Sequence, residues 1–297
     1  MPDDQEQKDS TTDISRRDFV TLSVAAGMAL ATGNASEAAV PVVEENVTIK
    51  TQDGMCDAAF IHPTMGAHPA VLIWPDAFGL RPVMREIGKR IAGEGYSVLV
   101  PNPFYRVAKA PVFDDPSKFN FANDADMAKL RPLMGSINAP GAAEKDATAF
   151  IAWLDTQRQV DKNKKVGTQG YCMGGPLVVK TAATVPNRVG AGASFHGGGL
   201  VTDQPTSPHL LAPKIKARMY FGVAANDDMR QPDAKVKLKE AFEAAKVPVE
   251  VELYPNSLHG WCVRDMPLQE GKPIYNMTDA ERAWGKLVAL YKAALQS

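Results

Sequence analysis

Gly170-Tyr171-Cys172-Met173-Gly174-Gly175 is the stretch on which the reading of this chain turns. It follows Lys165–Tyr171, which has the look of a strand, and precedes Pro176–Ala183, an apolar stretch compatible with a helix. A nucleophile on a sharp strand-to-helix turn is forced into a strained backbone conformation, and small neighbours on both sides avoid clashes. The sulfur of Cys172 would then sit at a helix N-terminus, where backbone N–H groups and the helix dipole favour thiolate over thiol. The amide of Met173 would point at the same spot and serve an oxyanion. An isolated cysteine is more often a buried structural residue. The strand before Cys172 and the partners after it reverse that reading.

Those partners follow in order. A strand over Ala217–Val223 leads into Ala224-Ala225-Asn226-Asp227-Asp228, and a strand over Val249–Tyr254 leads into Pro255-Asn256-Ser257-Leu258-His259-Gly260. The order nucleophile, acid, histidine resembles that of the α/β-hydrolase fold. In this assignment Cys172 attacks a carbonyl as thiolate, and His259 accepts its proton and later activates water. The acid fixes the imidazole tautomer and stabilises its cation. Asp227 is taken as that acid, with Asp228 as its competitor. Of the other imidazoles, His62, His68 and His209 read as surface residues. His196, at a strand end in Ser194-Phe195-His196-Gly197-Gly198-Gly199, reads as a pocket residue rather than the base.

Outward from these motifs, strands alternate with helices, as in a mostly parallel central sheet with helices on both faces. Val47–Thr51 and Ala58–His62 form a leading hairpin turned at Asp53-Gly54, and Ala70–Trp74 is a short buried strand. A helix then carries Leu80, Val83, Met84, Ile87 and Ile91 on one face and stops at Gly93-Glu94-Gly95, before a strand over Ser97–Val100. Residues 104–140 are less regular, with a short helix near Ala125–Leu133, and read as part of a substrate-binding wall. Further helices are expected over Ala142–Asp155 and Pro232–Ala245. A last one opens with the capping box Thr278/Glu281 and presents Trp284, Leu287, Val288 and Tyr291 inward.

The chain has 297 residues, 45% apolar and 23% charged, with a formal net charge of -1. That suits one large α/β domain with a core that stands without disulfides, and offers no basic surface for nucleic acid or acidic lipid. The N-terminus reads separately. Polar residues precede Ser15-Arg16-Arg17-Asp18-Phe19-Val20, then a mildly apolar run to Ala31, then small residues in Asn34-Ala35-Ser36-Glu37-Ala38. The order is that of a cleavable signal, and the Arg pair resembles a twin-arginine export signal. The apolar run falls short of the roughly 20 residues that span a bilayer, so stable membrane insertion is not expected. The expectation is a signal over 1–38 read by the twin-arginine export machinery, and a domain over 39–297 released folded to the periplasm or outside the cell. Three cysteines, Cys56, Cys172 and Cys262, are no disulfide framework; a Cys56–Cys262 pair would leave Cys172 free.

Taken together, Gly170–Gly175, Asn226-Asp227, His259-Gly260, Phe195-His196-Gly197-Gly198 and Trp74-Pro75-Asp76-Ala77-Phe78-Gly79 resemble the dienelactone hydrolase family (carboxymethylenebutenolidases), over about residues 45–295. The resemblance implies hydrolysis of a small ester or lactone through a thioester acyl-enzyme, with no metal and no organic cofactor. It implies an acid beside the resting cysteine at Asp76, where the family's usual residue is glutamate, and an oxyanion amide at Ala77. It also implies an arginine for a substrate carboxylate at Arg106. The family's second arginine position holds Val263 here, with Arg264 one residue later.

Overall fold

The computed structural model describes residues 40–296; the signal segment expected over 1–38 lies outside them. Val42–Thr51 (β1) and Gly54–Pro63 (β2) form the leading hairpin, paired from Val42↔Pro63 to Thr51↔Gly54. Gly54, at φ +138°, closes the turn in a region that side-chain-bearing residues avoid. The remaining strands are β3 (Ala70–Trp74), β4 (Ser97–Pro101), β5 (Val166–Tyr171), β6 (Val189–Phe195), β7 (Arg218–Ala224) and β8 (Val249–Tyr254). They form one eight-stranded sheet in the order β1-β2-β4-β3-β5-β6-β7-β8. The β1–β2 and β2–β4 pairs are antiparallel and the others parallel. This order is that of the α/β-hydrolase fold.

Helices α1 (Pro82–Gly93), α2 (Asp124–Asn138), α3 (Ala142–Leu154), α4 (Gly174–Thr184), α5 (Ala225–Arg230), α6 (Ala234–Ala244) and α7 (Met277–Leu295) connect and follow the strands. Every residue of β3 is buried, and alternation sorts its side chains between two layers. Leu72 and Trp74 join Phe150 of α3, Leu177 and Val178 of α4, and Leu238 and Phe242 of α6. Val71 and Ile73 join Met84 and Ile91 of α1 and Leu287 and Tyr291 of α7. The crossovers leave every parallel strand aimed at one edge of the sheet, where the loops carrying Asp76, Cys172, His196, Asp227 and His259 emerge. Among the described residues no helix is long and apolar enough to cross a membrane.

Several local expectations need correcting. The Asn123 side chain accepts from the amides of Ala125 and Asp126, and the helix it starts runs to Asn138, past Pro132. The segment around Asp227, which follows the strand over Ala217–Val223, is the short helix α5. Helix α6 begins at Ala234, two residues after the expected proline start. Helix α7 is capped by Asn276, whose side chain accepts from the Asp279 amide, rather than by Thr278. Trp284 is only half-buried, under the guanidinium of Arg90. His62 is buried, with Nδ1 2.7 Å from the Pro63 carbonyl oxygen. All three cysteines are free thiols. Cys56 belongs to one core layer and Cys262 packs against the other, so the sheet stands between them.

Candidate active site

Strand register assembles the site. Trp74 pairs with Gly170, so the loop carrying Asp76 and Ala77 lies beside the turn carrying Cys172 and Met173. Tyr171 pairs with Phe195, which sets Cys172 and His196 side by side, one residue beyond the ladder. Ala224 pairs with Tyr254, which brings the Asp227 and His259 segments together.

Cys172 has φ +51° and sits immediately ahead of α4. A backbone of that kind costs a non-glycine residue on the order of 1–3 kcal/mol and persists only where its surroundings enforce it. They do so by close approach. A Cβ on Gly170 would lie 2.2 Å from the Gly174 carbonyl oxygen, and one on Gly174 would lie 2.3 Å from that of Trp74. The glycines on either side of Cys172 therefore permit the packing of α4 onto β3 and β5.

His259 donates from Nδ1 to Oδ2 of Asp227 at 2.7 Å, and Cys172 lies close enough to act on the charge of the ring. Burial alone would lower the pKa of His259, but the charge on Cys172 and the bond to Asp227 push it up to about 10. The competitor Asp228 is turned away and paired with Lys235 at 2.5 Å. Asn226, which sequence reading left without a role, accepts the backbone N–H of His259 at 2.8 Å and so anchors the histidine segment to α5.

His196 also carries an unusual backbone, at φ +41°, and is buried. Its Nδ1 accepts the Cys172 N–H at 3.1 Å, so the neutral ring carries its proton on Nε2. Burial and the neighbouring His259 hold its pKa well below the usual histidine value. The ring lies edge-on to His259, centroids 4.8 Å apart. Burial disfavours its charged form, so it stands as a wall beside the imidazole of His259 rather than as a second base.

The N–H groups of Ala77 and Met173 are not taken by any acceptor among the described residues, and both residues are nearly buried beside Cys172. Asp76 does not stand free next to the sulfur. Its carboxylate receives the Phe78 N–H and a two-pronged contact from Arg81, at 2.7 and 2.9 Å. Arg81 reaches on to Asp265 with two further bonds, at 2.9 and 2.7 Å. This buried Asp76–Arg81–Asp265 bridge ties the Ala77 loop to the segment after His259. Sequence reading named neither Arg81 nor Asp265.

The expected carboxylate clamp, Arg106, and Arg264, one residue past the family's second arginine position, are placed otherwise. Arg106 gives its donors to Asp53, at 3.1 and 2.8 Å, and to Asp146, at 2.8 and 2.7 Å. That positions it over the β1–β2 turn, on the side of β4 away from β5. The expectation of a free guanidinium at the site is therefore corrected, because two acids already satisfy it. Arg264 is exposed and stacked on Tyr275, 5.4 Å from the ring centroid. Arg106→Ala is expected to cost about 2–3 kcal/mol in stability, because it strands the fully buried Asp146. The Tyr105 hydroxyl still donates to Asp146 at 2.8 Å, which keeps the loss at that lower level. Urea unfolding measures it, and a loss under about 0.5 kcal/mol, typical of a surface change, would contradict this placement.

Fold and site together define a hydrolase built on the α/β-hydrolase scaffold. More specifically, the chain belongs to the dienelactone hydrolase family, whose family model matches residues 56–295. It is 27% identical to the carboxymethylenebutenolidase of Rhodococcus opacus over 197 residues, covering 66% of this chain and 71% of that protein. Among solved structures it resembles a dienelactone hydrolase-like promiscuous phosphotriesterase from metagenomic libraries, with TM-score 0.69 and 22% identity over 86% of this chain and 99% of the other. It also resembles the dienelactone hydrolase of Anabaena variabilis, with TM-score 0.57 and 17% identity over the same shares of each chain, 86% and 99%.

Proposed function

We propose that this protein hydrolyses carboxylic esters or lactones through a thioester on Cys172. The observation that carries the reading is the chain of contacts Cys172–His259–Asp227 at the head of α4, on a backbone strained at the sulfur-bearing residue. The Cys172 thiolate attacks the substrate carbonyl, and the oxyanion is received by the N–H groups of Ala77 and Met173. Collapse expels the alkoxide, which takes the proton held by the His259 imidazolium. Neutral His259 then removes a proton from water, and the resulting hydroxide attacks the thioester. The acid product leaves, and the thiolate–imidazolium pair is restored. Asp227 holds the ring orientation and the cation throughout.

The raised pKa of His259 sets a pH dependence. Leaving-group protonation needs the imidazolium, so kcat/KM is expected to fall through an alkaline limb near pH 10. That apparent value belongs to the coupled pair. The Asp227 bond is one of the causes that raise it, so Asp227→Asn is expected to move the limb to lower pH. A limb that stays in place in Asp227→Asn, measured on a neutral ester, would detach Asp227 from this role.

We also infer export by a twin-arginine route, from the segment Ser15-Arg16-Arg17-Asp18-Phe19-Val20 and the small residues before Ala39. Replacing Arg16 and Arg17 with Lys is expected to leave the protein in the cytoplasm. Mass spectrometry of the exported wild type should find an N-terminus near Ala39. A wild-type protein that stays in the cytoplasm with Met1 intact is the contrary result.

A further inference from the structure

Two arginines that could serve a substrate carboxylate, Arg81 beside the Ala77 loop and Arg106 over the β1–β2 turn, are already matched by acids. Arg81 is enclosed between Asp76 and Asp265, and Arg106 between Asp53 and Asp146. Arg264 lies on Tyr275, and Arg230 reaches the outer oxygen of Asp227 at 3.5 Å. A substrate carboxylate would have to break a buried ion pair to gain Arg81 or Arg106 as a two-pronged partner, while Arg230 and Arg264 are exposed side chains turned to solvent. The loop that carries the Ala77 amide continues into a different surface. Phe78 follows Ala77 directly and is fully buried. Its ring meets Phe113 at 5.5 Å, Phe119 at 5.2 Å and Phe121 at 6.0 Å between centroids. Phe119 meets Phe113 at 5.4 Å and Phe121 at 4.8 Å, so the four rings form one continuous cluster, edge-to-face except for the tilted Phe78–Phe121 pair.

The cluster is graded in exposure. Phe78 is 0% exposed, Phe119 8% and Phe121 52%. Phe113 packs against both core layers, so it lies over the edge of the sheet rather than on one face, and Cys172 packs against one of those same layers. The excursion between β4 and α3 thus lays an aromatic wall against the oxyanion loop, with an open ring at its outer end. Exposed aromatic edges of this kind gain from a further ring stacked on them.

We propose that the substrate is a neutral ester bearing an aromatic or similarly bulky apolar group, held against the wall Phe78–Phe113–Phe119–Phe121, and not a carboxylated lactone or half-ester. This rests on the hydrolase reading above and specifies its substrate class. Phe121 is the specificity-determining residue, because its ring alone in the wall remains widely open to solvent.

The test uses the purified exported protein and a pH-stat, with methyl acetate, methyl 3-phenylpropionate and the half-ester methyl hydrogen glutarate. The expected result is a kcat/KM for the phenyl ester at least about tenfold above that for the half-ester. Phe121→Ala is expected to cut the phenylpropionate-to-acetate ratio roughly tenfold, chiefly through KM. A preference for the half-ester, or equal losses on both neutral esters in Phe121→Ala, would overturn the proposal. A single-equivalent p-nitrophenol burst from p-nitrophenyl acetate, lost in Cys172→Ala, separates the two levels. With the burst present, a half-ester preference defeats the substrate class alone. With no burst and no hydrolysis of any ester, the hydrolase reading fails and takes the substrate class with it.

Discussion

Cys172→Ala is expected to lower ester turnover roughly ten-thousandfold or more while leaving the thermal unfolding midpoint nearly unchanged. The size follows from the proposed thioester route, in which this change removes the atom that would form the acyl-enzyme. Oxyanion donors and binding alone retain only a small residual acceleration over water. Stability is spared because alanine keeps the Cβ and the backbone at φ +51°, and the Sγ is only partly buried. A chemical counterpart needs no mutation. Iodoacetamide at neutral pH is expected to modify one thiol and to abolish activity in step with that modification. Burial raises the pKa of both Cys56 and Cys262, so these thiols stay protonated and poorly nucleophilic. Peptide mapping identifies the labelled residue. Substantial hydrolysis by Cys172→Ala, or full activity after Cys172 is alkylated, would refute the thioester route.

The parts of this site that are legible in the sequence are those written by local chemistry. A Gly-x-Cys-x-Gly turn between an apolar strand and a helix constrains its own backbone, and loops after successive strands of a parallel sheet arrive at one edge whatever lies between them. Cys172, His259 and the aspartate segment can therefore be found by order along the chain. The choice between Asp227 and Asp228 cannot, because it depends on how α5 turns: one acid faces His259 and the next faces Lys235. The fates of the arginines are less legible still. Arg106 finds its acids 53 residues before it and 40 after it, and Arg81 meets Asp265 across 184 residues. No motif spacing encodes such pairs, so a guanidinium in the position of a substrate clamp reads the same whether it is free or satisfied. Helix caps fail for a smaller reason. Thr278/Glu281 and Asn276/Asp279 are both acceptable starts two residues apart, and the chain uses the earlier one.

Arg81→Ala is expected to destabilise the protein by about 3–5 kcal/mol, the largest stability loss anticipated for any single charge change at this site. The argument rests on what is left behind. Asp76 is 1% exposed, and its remaining donor is the Phe78 N–H at 2.9 Å. Asp265 is one-third exposed and can turn to water, so the penalty falls on Asp76. Because Asp76 immediately precedes Ala77, relaxation of its carboxylate would also displace the amide proposed to receive the oxyanion. Loss of one such donor costs on the order of a hundredfold or more in kcat. The double variant Asp76→Asn/Arg81→Met separates the two effects. It removes the stranded charge while keeping an apolar side chain of similar length, so it should recover much of the stability. It should recover little of the activity, since nothing then ties the Ala77 loop to the segment after His259. Urea unfolding and kcat on one neutral ester measure both. An Arg81→Ala protein that loses less than about 1 kcal/mol, with kcat intact, would show that the bridge neither supports the fold nor positions the amide.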